Sequence, residues 1–107
     1  MKDVSYEQFF STLSGGRRLD ILRYLQSSGP KSVLEIAEGT DIEQSAISHN
    51  LSKLLSCGCV HLDIQGKRRV YSVNNETIGP LFSLIDQHLE KFCTHTCTDC
   101  KSGALCT

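Results

Sequence analysis

Four cysteines fall within FCTHTCTDCKSGALC, residues 92 to 106: Cys93, Cys97, Cys100 and Cys106, with His95 between the first two. Thiolates are soft ligands that select zinc, cadmium, lead, cuprous copper, arsenite or an iron–sulfur cluster. The Cys97-x2-Cys100 step suits a tight chelating turn. The Cys93-x3-Cys97 step suits a helix end, where residues four apart share a face. C-x3-C-x2-C is also a spacing of certain four-iron clusters, and any two of these thiols would suffice for a thiol–disulfide switch. The other two cysteines, Cys57 and Cys59, flank Gly58, and residues 1 to 56 contain none. Such clustering points to metal or redox chemistry rather than to a disulfide framework spread through the chain. Cys59 reads first as a small core residue; Cys57, Cys59 and His95 are the additional candidates beside the four tail thiols. No Ser-His-Asp arrangement, acid–base carboxylate pair or phosphate loop is present, so no enzyme and no small-molecule substrate are expected.

Thiols on a tail must report to a scaffold. The chain has 107 residues, enough for one domain that would gain from dimerising. Its 39% hydrophobic and 21% charged residues are the proportions of a folded protein. No run approaches the ~18 apolar residues of a membrane helix. The first ten residues, MKDVSYEQFF, lack the apolar core of a signal peptide, so the expected compartment is the cytoplasm. Net charge is −1, but a nucleic-acid binder needs only a local basic face. Arg17, Arg18 and Arg23 bunch early, and Lys67, Arg68 and Arg69 later.

Apolar periodicity supplies the elements. Tyr6, Phe9, Phe10 and Leu13 mark a short amphipathic helix, punctuated by Gly15-Gly16. Leu19, Ile21, Leu22 and Leu25 predict a largely buried second helix, ended by Gly29-Pro30. Ser32 and Glu35 have capping-box spacing at the start of a third, over 32–39. A fourth, over 43–57, carries Ile47, Leu51, Leu54 and Leu55 on one stripe, and Gly58 stops it. The period then changes to two. VHLDIQ puts Val60, Leu62 and Ile64 on one face, QGKRR turns, and VYSV returns with Val70 inward, a hairpin with a basic tip. A long last helix carries Ile78, Leu81, Phe82, Ile85, Leu89 and Phe92, with Pro80 in its first turn. The expected fold is mainly α with a β-hairpin wing, a winged helix-turn-helix of order α-α-α-α-β-β-α. Residues 1–92 form its domain and 93–107 a cysteine-rich tail.

The fourth helix presents Gln44, Ser45, Ser48 and His49 away from Leu51 and Leu54. These side chains hydrogen-bond to base edges, while Lys53 and the helix N-terminus suit phosphate oxygens. Lys67, Arg68 and Arg69 would reach the flanking backbone or minor groove.

LSGGRRLDILRYL (13–25), IEQSAISHNLSKLLSCGCV (42–60) and GKRRVYSV (66–73) together resemble the ArsR/SmtB family of winged-helix repressors. The resemblance spans nearly all of residues 4 to 92. It implies a homodimer formed through the first and last helices, reading a pseudo-palindromic operator. It also implies release from DNA by an inducer, usually a soft or borderline metal ion. Three departures stand out. The family's DPTR lead-in to the second helix is replaced by Ser14-Gly15-Gly16-Arg17, so that turn should be looser. The third helix, VLEIAEG, lacks the thiol pair of the family's arsenic sensors. The last-helix zinc positions fall on Asn75, Thr77, His88 and Lys91, of which only His88 retains a family ligand type. Some cadmium and lead sensors of the family combine thiolates of the recognition helix and the C-terminal tail, which would enlist Cys57. The expected function is therefore a DNA-binding repressor modulated by a thiophilic ion (zinc, cadmium, lead or arsenite) at Cys93, Cys97, Cys100 and Cys106. Redox or iron–sulfur sensing on the same fold is the alternative within the class. A metal-buffering or thiol-redox protein that does not bind DNA is the alternative outside it.

Overall fold

The computed structural model describes residues 6–92. Among them, helix α1 spans Tyr6–Ser14, α2 Arg18–Ser28, α3 Val33–Gly39 and α4 Gln44–Ser56. Strands β1, Val60–Gln65, and β2, Arg68–Val73, follow, and then helix α5, Ile78–Phe92. This is the predicted winged helix-turn-helix order. The chain divides into two compact units, residues 1–74 and 75–107.

In the first unit the core is aliphatic. Ile21, Leu22, Leu25, Ile36, Ile47, Leu51, Leu54 and Val60 are nearly or wholly inaccessible. Burying each such side chain contributes about 1.5–3 kcal/mol. They come from one stripe of α2, one of α4, a single anchor on α3 and the base of the hairpin. Leu19 and Leu55, predicted to join these stripes, are partly exposed because each lies at the flank of its helix face. Helix α3 starts with the predicted capping box. The Ser32 hydroxyl accepts from the Glu35 amide at 3.3 Å, and the Glu35 carboxylate accepts from the Ser32 amide at 2.9 Å.

The strands pair antiparallel with Val60 opposite Val73 and Gln65 opposite Arg68. Gly66-Lys67 is thus a two-residue loop. Gly66 has φ +67°, and a glycine at the first loop position is the requirement of a II′ turn. Burial fades along β1 from Val60 through half-buried Leu62 to Ile64, which is 60% exposed. The alternation expected to bury Ile64 does not hold, because the distal half of the hairpin is exposed on both faces. Lys31 and Tyr71 exchange backbone hydrogen bonds of 2.9 and 2.8 Å, fastening β2 to the segment after α2.

In the second unit, α5 has Ile78 and Phe82 buried, as predicted. Ile85, Leu89 and Phe92, predicted to continue that buried stripe, are exposed together with Leu84. The apolar periodicity of the helix is real, but nothing among the described residues covers its outer half.

Candidate nucleic-acid interface

Helix α4 divides cleanly into two sides. Ile47, Leu51 and Leu54 are wholly buried, while Gln44, Ser45, Ser48, His49 and Lys53 are all exposed. The N-cap residue Glu43 makes no side-chain cap, and its carboxylate instead accepts from the Ser45 hydroxyl at 3.3 Å. The first-turn amides therefore have no side-chain acceptor at the cap position.

Three devices fix this helix. At its start, the Thr40 hydroxyl donates to the Ile36 carbonyl at 2.8 Å and accepts from the Ile42 amide at 3.3 Å, closing the turn from α3. At its end, Gly58 lies at φ +80°, the Gly58 amide donates to Leu55 O at 3.2 Å and the Cys59 amide to Leu54 O at 2.9 Å. That pair of bonds is a Schellman stop, as the predicted glycine brake implies. In its middle, Asn50 is the one buried polar side chain among the described residues. The Asn50 Nδ2 donates to Gly16 O at 2.5 Å, and its Oδ1 accepts from Arg18 Nη1 at 3.3 Å. Arg18 Nε donates in turn to Thr12 O at 2.5 Å.

The turn between α1 and α2 is therefore pinned to α4 rather than looser. Gly16 and Arg17 both adopt positive φ, 58° and 67°. A Cβ at position 16 would stand 2.5 Å from Asn50 Oδ1, so the double glycine makes room for that anchor. Asn50 was legible as a signal: a polar residue between Ile47 and Leu54 on the buried stripe calls for a hydrogen-bonding partner.

On the wing, only Lys67 is at the turn, while Arg68 and Arg69 open β2 and point to opposite faces. All three are exposed. Arg68 Nη2 lies 2.6 Å from Glu35 Oε1, joining wing and α3 capping box. The Ser32 backbone hydrogen bond, and next the Arg68 guanidinium, hold the Glu35 carboxyl below its ordinary range. Lys67 and Arg69 have no ion-pair partner among the described residues.

Cys59 is buried, as the packing reading expected, and Cys57 is exposed. Their sulfurs are 3.0 Å apart. Burial first, then the neighbouring Cys57 sulfur, pushes the Cys59 thiol up to about 12, so it stays protonated at neutral pH. Cys57 also lines a cleft of about 450 Å³ with Gln8, Phe9, Thr12 and Ser56. Cys93, Cys97, Cys100, Cys106 and His95 lie outside the described residues. Among the described residues, no group of three or more His, Cys, Asp or Glu side chains could hold a metal ion. His88, exposed on α5, has its ring 5.0 Å from that of Phe92. His61 is exposed on β1, as expected.

Residues 16–61, from the pinned turn through α4 to the start of the wing, match the family model described as bacterial regulatory protein, arsR family. The arsenical resistance operon repressor of Bacillus subtilis is 31% identical over 78 residues, covering 73% of this chain and 74% of the relative. The chain belongs to the arsR family. A helix-turn-helix transcriptional regulator of Mycobacterium tuberculosis is 37% identical over 72% of the chain, but the match spans only 35% of that longer relative. The solution structure of a homodimeric winged helix-turn-helix domain from Mycobacterium bovis, a possible ArsR-family regulator, superposes with TM-score 0.66. That domain is 32% identical, with 85% of this chain and 95% of that one covered. Members of the arsR family are transcriptional regulators, not enzymes.

Proposed function

We propose that the chain is a homodimeric transcriptional repressor that reads a double-stranded operator with α4 and the β1–β2 wing. In this reading its grip is weakened by a thiophilic metal or metalloid ion bound through Cys93, Cys97, Cys100 and Cys106. The observation that carries the proposal is the sidedness of α4, where every predicted base- or phosphate-contacting side chain is exposed opposite a wholly buried stripe. Gln44 can pair bidentately with adenine, Ser45, Ser48 and His49 can bond base edges, and Lys53 can reach a phosphate. Lys67 and Arg69 add phosphate contacts from the wing, whereas Arg68 is committed to Glu35.

Dimerisation is supported by the uncovered Leu84, Ile85, Leu89 and Phe92 on α5 and by the homodimeric state of the related domain. A two-fold pair would set two recognition helices about one helical turn of DNA apart. Ion sensing is supported by the donor chemistry. Four thiols within one short segment fit a soft ion and not a hard one, and the Bacillus subtilis relative is an arsenical resistance repressor. The described residues offer no group of three or more such ligands, so the reading rests on the tail thiols, with Cys57, Cys59 and His95 as the additional candidates. Thiolate binding would favour a dimer geometry with poorer operator contacts. No helix of the described residues is long and apolar enough to cross a membrane.

The test is a gel shift on the promoter of the protein's own gene. Reduced, metal-free protein should shift the DNA, and zinc, cadmium or arsenite should release it. Failure to shift in the reduced metal-free state counts against repression and favours a buffering role. Release that survives replacement of Cys93, Cys97 and Cys100 by serine removes the tail as the sensor.

A further inference from the structure

The joint between α4 and β1 holds two thiols that DNA reading does not use. Cys57 is exposed at the helix end, Cys59 is buried two residues later, and their sulfurs lie 3.0 Å apart. A disulfide bond is about 2.05 Å long, so roughly 1 Å of closure separates the pair from bonding. Residues two apart span at most about 7 Å, and the turn here shortens that reach into the range a disulfide tolerates. Gly58 between them sits at φ +80°, and nothing lies within 4 Å of where a Cβ would stand, so no neighbour packs on that side of the linking residue. The exposed member also faces the cleft of about 450 Å³, where Phe9 offers an apolar wall and Gln8 and Thr12 polar ones. That opening admits a small hydroperoxide, inorganic or organic, to Cys57 while Cys59 stays shielded behind it.

We infer that Cys57 and Cys59 are a dithiol modification site at which a hydroperoxide is reduced and the two sulfurs close into a disulfide across Gly58. In the first step Cys57 sulfur attacks the terminal peroxide oxygen. The S–O bond forms, the O–O bond breaks, and the alcohol or water leaves with the Cys57 proton. In the second step Cys59 sulfur attacks Cys57 sulfur. The S–S bond forms, the S–O bond breaks, and the hydroxyl leaves as water with the Cys59 proton. Two thiols supply the two electrons that the peroxide accepts.

Closure acts on the part of the fold that aims α4. The Cys59 amide bonds Leu54 O, the Gly58 amide bonds Leu55 O, the Asn74 amide bonds Cys59 O at 2.9 Å, and Asn74 Nδ2 bonds Gly58 O at 2.8 Å. The sulfur movement is shared between the two cysteine side chains and these bonds, which join the last turn of the recognition helix to the root of the wing. The oxidised protein therefore holds its DNA-reading elements at a different mutual angle, a consequence that rests on the DNA-binding reading above.

The experiment uses the full chain with Cys93, Cys97, Cys100 and Cys106 changed to serine, treated with hydrogen peroxide or tert-butyl hydroperoxide. Mass spectrometry should show loss of two hydrogens from the peptide containing both remaining cysteines, reversed by a thiol reductant. Cys57→Ser, an exposed change that leaves the core intact, should abolish it. Cys59→Ser should leave a Cys57 sulfenic acid that dimedone traps. Both thiols persisting at peroxide doses that oxidise free cysteine, or Cys57 passing to sulfinic acid with no internal disulfide, would overturn the site. On promoter DNA, oxidation should lower affinity by about 5- to 150-fold, the usual range of allosteric coupling, and Cys57→Ser should be insensitive. A disulfide that forms without changing affinity overturns the coupling alone. Reduced protein that never binds DNA defeats the repressor reading and leaves the disulfide to be judged by mass.

Discussion

Replacing Lys67 and Arg69 together by alanine removes from each wing the two cations that have no ion-pair partner among the described residues. A dimer loses four such charges. Each phosphate neutralised contributes about −0.9 to the slope of log affinity against log salt, so four contacts correspond to roughly −3.6. Between about 50 and 200 mM salt, ~0.6 of a log unit, the native protein should lose about 150-fold more affinity than the double variant. Arg68→Ala is the internal control. Its guanidinium is 2.6 Å from Glu35, so that pair is already neutralised and its removal should barely change the slope. Glu35→Gln, by contrast, releases Arg68 and should steepen the slope by up to about 1.8 per dimer. Fluorescence anisotropy titrations of promoter DNA at several salt concentrations read these slopes directly. A double variant with the native slope, or Arg68→Ala flattening it as much as the double change, would refute the assignment of wing charges.

Asn50→Ala strips the Gly16 carbonyl and Arg18 of their shared partner inside the fold, which should cost about 1–3 kcal/mol in urea-unfolding stability. Gly16→Ala should be destabilising too, since it combines positive φ with a clash against Asn50. Glu35 has a folded-state pKa below its ordinary value of 4.5, so the unfolded chain binds the extra proton between the two values. The stability Glu35 provides is present above about 4.5 and is lost as pH falls through the lowered value. Urea midpoints of the native protein and Glu35→Gln should therefore differ at pH 7 and converge in acid. Leu89→Asp on the uncovered side of α5 should convert a dimer to a monomer in sedimentation equilibrium without unfolding the first unit.

Periodicity and punctuation made most of this fold legible. The α4 stripe, the Ser32–Glu35 cap and the Gly58 brake are local devices, each written in a few adjacent residues, and each appears where the sequence placed it except for Leu55, which is exposed. What eluded the sequence was non-local. The Arg68–Glu35 pair joins residues far apart in the chain, and no spacing rule announces which of three neighbouring cations will find a carboxylate. Asn50 was set inside an apolar stripe, but its partner, a backbone carbonyl at Gly16, has no side chain to betray it. Ile64 obeyed strand alternation yet stayed exposed, because period two names a face without saying whether anything covers it. The same limit explains Ile85, Leu89 and Phe92 on α5. Their spacing encodes an apolar face, and only a second molecule or segment can make that face interior.

The devices around α4 also bear on how an arsR-type reader could be switched. A recognition helix held only by its apolar stripe could rock on the core, because dispersion contacts are non-directional. Here its middle is tied by Asn50 to the α1–α2 turn, and its end by the Schellman bonds and Asn74 to the wing. The bonds at the helix end meet at one joint, Cys57-Gly58-Cys59, which links the helix to the wing. A change confined to that joint, whether a bond between its sulfurs or an ion bound at Cys57, would reach both α4 and the wing at once. Severing the clamp instead, with Asn74→Ala, should weaken any such effector response while leaving the aliphatic core, and hence the fold, in place. An Asn74→Ala protein that responds to oxidant and ion as the native one does would show that the joint does not transmit the signal.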